Sequence, residues 1–396
     1  MKDLNLKYRA QEIFQNPYPF YDELRSKTPI YKGNFFKYPG WYVTGYEEAN
    51  LILKNQLFLN RAPIPENSKR YDRIINIQQN MLLFQNPPDQ TRLRKIVRES
   101  FTPKALEELI PFIEDLANKL IQEGMNKQKV NIVSDIAFPL ASLVIAKILG
   151  IPEEDKHLFR EWSINLIETL DLTRTRESLI TGNATMVTML TYFQKLINIR
   201  KQAPQDDLIS LLLRENQNEN KLTKEELLAT CLLLVIAGHE TTVNLISNSV
   251  YCLLTNTEQY HLLQENPSLI ESAIEEFLRY ESPTQLTARV ASENMKLNQI
   301  EIKKGDHMYI LLGAANRDPR IFIKPDVLDI TRNPNPHLAF GSGIHFCLGS
   351  ILAKLETKIV LQTLLQNTKT MQLETTNLQW RDLIGFRALK ELHITF

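Results

Sequence analysis

The chain has 396 residues, 43% of them apolar and 23% charged, with a net charge of zero. That balance describes an ordinary soluble globular protein and gives no global basic excess for nucleic acid. Its cysteines, Cys231, Cys252 and Cys347, are odd in number and widely spaced, which suits a reducing cytosol better than a disulfide framework.

Residues 1–20 are polar and contain no apolar run of the signal-peptide kind, so a cytoplasmic location is expected. Residues 31–60 are rich in Tyr, Val, Ile and Gly. Breaks at Gly33, Pro39-Gly40 and Gly45 predict short strands in a small sheet. From 89 to about 255 the pattern is helical, interrupted by polar runs at 152–155 and 216–220. The longest apolar stretch, 227–238, is about half of the roughly 20 residues a membrane span needs and reads as a buried helix. A further helix ends near Tyr280. Strand-like segments follow at 286–291 and 308–312, and then a loop dense in Pro and Asn from 316 to 337. The expectation is a mainly α chain with a minor β region in a single domain over 1–396, with the β-rich parts near 25–85 and 285–396 and helices over 89–280.

The most informative window is Phe340-Gly341-Ser342-Gly343-Ile344-His345-Phe346-Cys347-Leu348-Gly349. It presents one cysteine from a glycine-flexed loop just before a helix. An isolated cysteine is usually a small buried hydrophobe. This loop reverses the odds, because Gly341 and Gly343 allow positive φ and close approach to a flat ligand, and backbone N–H groups after Cys347 stabilise a thiolate. Such a thiolate can hold haem iron. A dinucleotide fingerprint fails, since Phe346 stands where its third glycine is required.

Ala237-Gly238-His239-Glu240-Thr241-Thr242 is the second site. A zinc-protease reading of His239-Glu240 needs a second His where Val243 stands. Glu240 and Thr241, following an apolar run, are either a satisfied helix end or an acid–alcohol pair that relays protons. Gly238 would let the helix open locally. Glu276 and Arg279 share a helix face, and Arg332 in the Pro-rich loop is a second guanidinium that would close a buried network holding the thiolate loop. Gln90 and Arg94, in a helix opened by Pro87-Pro88-Asp89, could reach ligand carboxylates. Arg92, Lys95 and Arg98 form a basic face, by default a solvated charge stripe, or a dock for an acidic electron donor.

Together these residues resemble the cytochrome P-450 superfamily of haem-thiolate monooxygenases over nearly the whole length, with Asn316-Arg317-Asp318-Pro319 also in the expected order. The resemblance implies a mainly helical triangular prism and haem b, with electrons from ferredoxin or flavodoxin and no membrane anchor. It implies Cys347 as the axial ligand, and Gln90, Arg94, Arg289 and His345 as propionate contacts, although the family more often carries His at Gln90. Ala237, Phe340 and Gly349 are then expected against the cofactor. Glu240 and Thr241 match the oxygen-activating pair, and Glu276, Arg279 and Arg332 the structural triad. Leu82, Phe84, Leu234, Ala237, Leu286 and Phe386 are expected to line the substrate side, although each could equally be a core residue.

Several segments, among them 280–289 and 385–389, look like the biotin-biosynthesis branch of that family found in bacilli. This branch implies oxidative cleavage of a long-chain fatty acyl group on acyl-carrier protein, through successive hydroxylations, to the seven-carbon pimeloyl product. Ser342, Ile344 and Phe346 depart from that branch near the ligand. Basic surface at Lys69, Arg70 and Arg73 is a candidate carrier dock. The alternatives are a hydroxylase of free fatty acids or polyketides and, outside enzymes, a haem sensor or electron carrier, against which Glu240-Thr241 counts.

Overall fold

The computed structural model describes residues 8–60, 70–127, 129–219 and 222–396. Its centre is one helix, Lys224–Thr255, against which helices from both sides of the sequence pack. The elements that position the site are α1 (Tyr46–Lys54), α2 (Asp89–Arg98), α3 (Phe138–Leu149), α4 (His157–Leu170), α5 (Arg176–Gln202), α6 (Lys224–Thr255), α7 (Ile270–Tyr280) and α8 (Ser350–Asn367).

α6 opens on a capping box. The Thr223 hydroxyl accepts from the Glu226 amide at 3.1 Å, and the Glu226 carboxylate accepts from the Thr223 amide at 2.8 Å. The helix is buried nearly all round, from Leu227 to Leu253, as a core helix must be. By hydropathy and length it could cross a membrane, but 78% of that stretch is buried inside the molecule. α3, α4, α7 and α8 all lie against it.

The main sheet joins strands distant in sequence: β1 (Ile30–Phe35), β2 (Tyr38–Val43), β3 (Phe58–Leu59), β4 (Leu286–Ala291) and β5 (His307–Leu311), in the order β1-β2-β5-β4-β3. β2 and β5 run parallel, with Trp41 opposite Met308, and the other pairs are antiparallel. The expected breaks at Gly33 and Pro39-Gly40 lie inside strands instead. The hairpin turns at Phe36 and Lys37, whose φ values of 54° and 68° match the twist of the flanking strands. Gly40 serves close approach, since a Cβ there would lie 2.7 Å from the His307 carbonyl.

Two further departures have plain causes. Within 31–60, residues 46–54 form α1 rather than a strand. Ala49, Ile52 and Leu53 recur at helical spacing and are buried. The polar run 216–220 does not break the chain where expected, because the helix Leu208–Glu219 extends across most of it. A short strand within the helical stretch, Lys129–Asn131, pairs with His393–Thr395, which pairs in turn with Gln372–Leu373. The 316–337 loop has no helix or strand, as its Pro and Asn content predicts.

Candidate haem-thiolate site

Cys347 lies between a 3-10 turn, Gly343–His345, and the start of α8. Its amide donates to the Phe340 carbonyl at 2.9 Å, and the Gly341 amide donates to the Leu338 carbonyl at 2.8 Å, so the loop is closed on itself. Gly341 and Gly343 take φ values of 70° and 72°. At Gly343 a Cβ would stand 2.7 Å from the Leu53 carbonyl, so α1 is the neighbour that demands glycine there. At Gly349 no protein atom lies within 4 Å of a Cβ position, so protein packing does not demand glycine at that point. Burial pushes the Cys347 thiol up, while the Gly349 amide and the Arg94 guanidinium oppose the rise. The Phe340 ring sits against Phe346 and His337, with centroids 6.1 Å apart in each case.

α2 and β4 bring cations to this loop. Arg94 donates to the Phe346 carbonyl at 2.6 Å, one residue from Cys347. Arg289, 4% exposed, donates to the Asn60 side chain at 2.6 Å and to the Ala288 carbonyl at 2.8 Å. Burial lowers its pKa to about 10. The His345 imidazole is pushed down to about 4 by burial, then by the positive charge of Arg289 and Arg94. Among the described residues neither guanidinium has a carboxylate partner. Two cations beside a neutral His, with no acid to balance them, form a site of net positive charge, and a buried unpaired charge is costly. An anionic cofactor bearing carboxylates would supply the missing counter-charge. The donor set therefore fits haem, with a thiolate for the iron and guanidinium and imidazole N–H groups for the propionates. The Gln90 amide, 1% exposed, donates to the Ile344 carbonyl at 2.7 Å and so braces the loop.

α6 carries the second group of candidate residues. Along its middle, Leu233, Leu234, Ala237, Gly238 and Thr241 remain accessible while Val235, Ile236, His239, Glu240 and Thr242 are buried. Spacings of three and four residues put the accessible five on one face. The Thr241 hydroxyl donates to the Ala237 carbonyl at 2.9 Å. Glu240 points elsewhere, and its carboxylate accepts from Arg381 at 3.1 Å. Arg381 also reaches Glu168 of α4 at 3.5 Å. The expected opening of α6 at Gly238 does not occur, and the helix is continuous. A Cβ there would lie 2.5 Å from Ile145 Cδ1, so Gly238 makes room for α3. His239, fully buried, stands edge-on to Phe138 with centroids 4.5 Å apart, and burial depresses its pKa to about 3. Among the described residues no group of His, Cys, Asp or Glu could hold a metal ion, which removes the zinc reading.

Glu276, Arg279 and Arg332 meet. Arg279 donates to both Glu276 oxygens at 2.7 Å, and Arg332 Nε lies 3.0 Å from Oε2. The Asp329 backbone amide and the Asn335 side-chain amide, which sequence reasoning missed, also donate to Glu276, at 2.9 and 3.1 Å. Arg279 further ties the Asn316 and Pro325 carbonyls, and the Asn316 side chain accepts from the Leu338 amide at 2.6 Å. The long loop before Cys347 is thus anchored to α7. The apolar candidates divide. Leu82, Phe84, Leu234 and Phe386 belong to the large cluster around α6, with Leu82 largely buried in it. Leu286 packs in a second cluster with Tyr21, Tyr42 and Ile384. Arg381, the partner of Glu240, carries no local sequence signal, because the two residues are 141 apart in the chain.

A family model described as Cytochrome P450 matches residues 171–379. The biotin biosynthesis cytochrome P450 of Bacillus subtilis is 54% identical, with 98% of each chain covered. The polyketide biosynthesis cytochrome P450 PksS of the same organism is 34% identical over 100% of this chain and 99% of its own. A crystal structure of P450BioI in complex with a hexadec-9Z-enoic acid-ligated acyl carrier protein superposes with a TM-score of 0.94 at 54% identity, covering 98% of this chain and 99% of that one. A myxobacterial P450 in complex with myristic acid gives a TM-score of 0.90 at 34% identity, covering 98% of both chains. The thiolate loop and the likeness from end to end agree: the chain belongs to the cytochrome P450 family, monooxygenases that carry haem b and take electrons from a separate ferredoxin or flavodoxin.

Proposed function

We propose that this chain cleaves a long-chain fatty acyl group, delivered on acyl-carrier protein, by successive hydroxylations, and yields pimeloyl-acyl-carrier protein for biotin biosynthesis. The observation that carries this reading is the 54% identity, over 98% of both chains, to the biotin biosynthesis P450, whose crystallised counterpart holds an acyl-loaded carrier protein. A cytoplasmic location and a single domain belong to the same reading.

Haem b, when bound, supplies dioxygen activation with electrons from the donor protein. The residues of this chain do the rest. Cys347 would hold the iron through Sγ, with the loop bonds to Phe340, Gln90 and Arg94 fixing that sulfur. Arg94, Arg289 and His345 would bind the propionates. Leu234 and Ala237, with Phe84, Leu82, Leu286 and Phe386, would hold the alkyl chain and exclude water. Thr241 would donate a proton from Oγ1, and Glu240 would replenish it from the Arg381 side. Arg70 and Arg73 are exposed, as a surface for an acidic carrier requires, while Lys69 lies outside the described residues.

The deciding experiment is product analysis after turnover with palmitoyl-loaded carrier protein. The expected product is the seven-carbon diacid on the carrier, and full-length hydroxylated chains alone would reject the cleavage. The second reading, hydroxylation of free fatty acids, is favoured by the relative holding myristic acid. It predicts equal turnover of free and carrier-bound chains.

A further inference from the structure

Asp171, 1% exposed, stands in the connection between α4 and α5 and has no role in the site described above. Among the described residues it forms no ion pair. Its charge is met by hydrogen-bond donors instead. The Thr173 amide and hydroxyl donate to Oδ1 at 2.8 Å, and the Ile384 amide donates to it at 3.3 Å. The Gly385 amide donates to Oδ2 at 2.8 Å. At Gly385 a Cβ would lie 2.9 Å from that same oxygen, so the contact calls for glycine.

The bonds continue from there into the candidate substrate side. The Gly385 carbonyl accepts from the Gln285 amide at 2.8 Å, and the next residue is Leu286. On the other side of Gly385, Phe386 forms an antiparallel bridge with Thr284. The Thr173 hydroxyl also lies 3.0 Å from the Asp382 carbonyl, a second acceptor for its one proton. A buried carboxylate without a counter-ion is costly unless every acceptor is used. Here its acceptors hold the 384–385 segment, and the Gly385 carbonyl in turn takes the Gln285 amide, so one chain of bonds links Asp171 to the two segments that carry Phe386 and Leu286.

We propose that Asp171 is a positioning residue of the substrate site. Through Gly385 it sets Phe386 and Leu286 relative to the acyl chain, and so fixes which carbon is presented for oxidation. This rests on the reading that the chain oxidises an acyl substrate lined by those two residues.

The test compares wild type with Asp171→Ala, Asp171→Asn and Asp382→Asn, the last being an exposed carboxylate on the same hairpin whose side chain bonds Gln11 instead. Haem content and the absorption band of the reduced carbon-monoxide complex identify correctly folded protein. The probe is hexadec-9Z-enoic acid. Asp171→Ala should raise its spectral dissociation constant about tenfold, the worth of one charge-assisted hydrogen bond, and should spread oxidation over neighbouring carbons. Asp171→Asn keeps one acceptor oxygen and should fall between, while Asp382→Asn should match wild type. Amide hydrogen exchange at Ile384 and Gly385 should quicken in both Asp171 variants, a readout independent of turnover. Should Asp171→Ala fail to take up haem, Gly385→Ala perturbs the same contact from the other side and should shift the product carbon likewise. Unaltered affinity, product position and exchange in Asp171→Asn would overturn the inference alone. A wild-type protein that neither binds nor oxidises this chain, free or loaded on acyl-carrier protein, would overturn the acyl reading, and this inference with it.

Discussion

Thr241 and Glu240 are neighbours in sequence, yet α6 turns them to different surroundings. The hydroxyl faces the accessible side and closes on the Ala237 carbonyl at 2.9 Å, while the carboxylate is held by Arg381 at 3.1 Å. A proton leaving Thr241 Oγ1 must be replaced, and the adjacent acid is the nearest titratable group on α6. Thr241→Ala should therefore leave donor consumption largely intact but divert it to peroxide, lowering the yield of product per electron about a hundredfold, the low end for loss of a proton-transfer group. Measuring peroxide beside product checks this, and unchanged coupling would remove the hydroxyl from the relay. His239, one residue before, is a stability group instead. Its buried ring has a folded pKa of about 3 against 6.5 for a free imidazole, with burial as the cause. In the window between those values the unfolded chain binds a proton that the folded chain does not. Stability is thus full above about pH 6.5 and falls as the pH drops towards 3, by up to about 1.4 kcal/mol per pH unit. His239→Leu should flatten that acid limb in thermal unfolding measured across pH 3–7, and an unchanged limb would show that other groups govern it.

Helix α6 shows how much of an element can be read from sequence and where reading stops. Its apolar run at 227–238 marks a buried helix, and the structure adds the Thr223…Glu226 box at its start. The 286–291 and 308–312 strands and the irregular 316–337 loop are equally legible, because alternation, Pro and Asn are local signals. What a glycine makes room for is not local. Gly238 reads as a hinge in isolation, but its neighbour is Ile145, on a helix almost 100 residues earlier. Gly33 and Gly40 read as turns, but Gly40 admits β5, a strand more than 250 residues later. The same limit hid Arg381, Asp171 and the bond from the Gln90 amide to a backbone carbonyl 254 residues away. Gly238→Ala tests the packing account. Helix propensity alone would favour alanine by about 1 kcal/mol, whereas the 2.5 Å approach to Ile145 Cδ1 should reverse the sign, at a net cost of about 1–2 kcal/mol. Ile145→Val removes that methyl, so the double variant should recover most of the loss in denaturant unfolding. Additive effects would show that the two residues do not clash.

At the scale of the whole molecule, zero net charge leaves long-range steering to local patches. α2 supplies one beside the thiolate loop. Of its basic residues, Arg92 is tied to Asp89 and Glu226, and Arg94 turns inward to the Phe346 carbonyl. Lys95 and Arg98 are exposed. They lie on the helix that braces the Cys347 loop, so an acidic electron donor approaching that loop would meet them. Their value should lie in encounter rather than in tight binding, because exposed charges act over about a Debye length, about 10 Å at 0.1 M salt. Lys95→Glu with Arg98→Glu should therefore slow reduction by ferredoxin about tenfold or more at low ionic strength, with the difference shrinking towards none near 1 M salt. Haem content and substrate-induced spectral changes should stay as in wild type. Stopped-flow reduction across a salt series separates the outcomes. A deficit that persisted at high salt would mean the substitutions disturbed α2 and the loop it braces, and equal rates at every salt would place the donor's approach on another face.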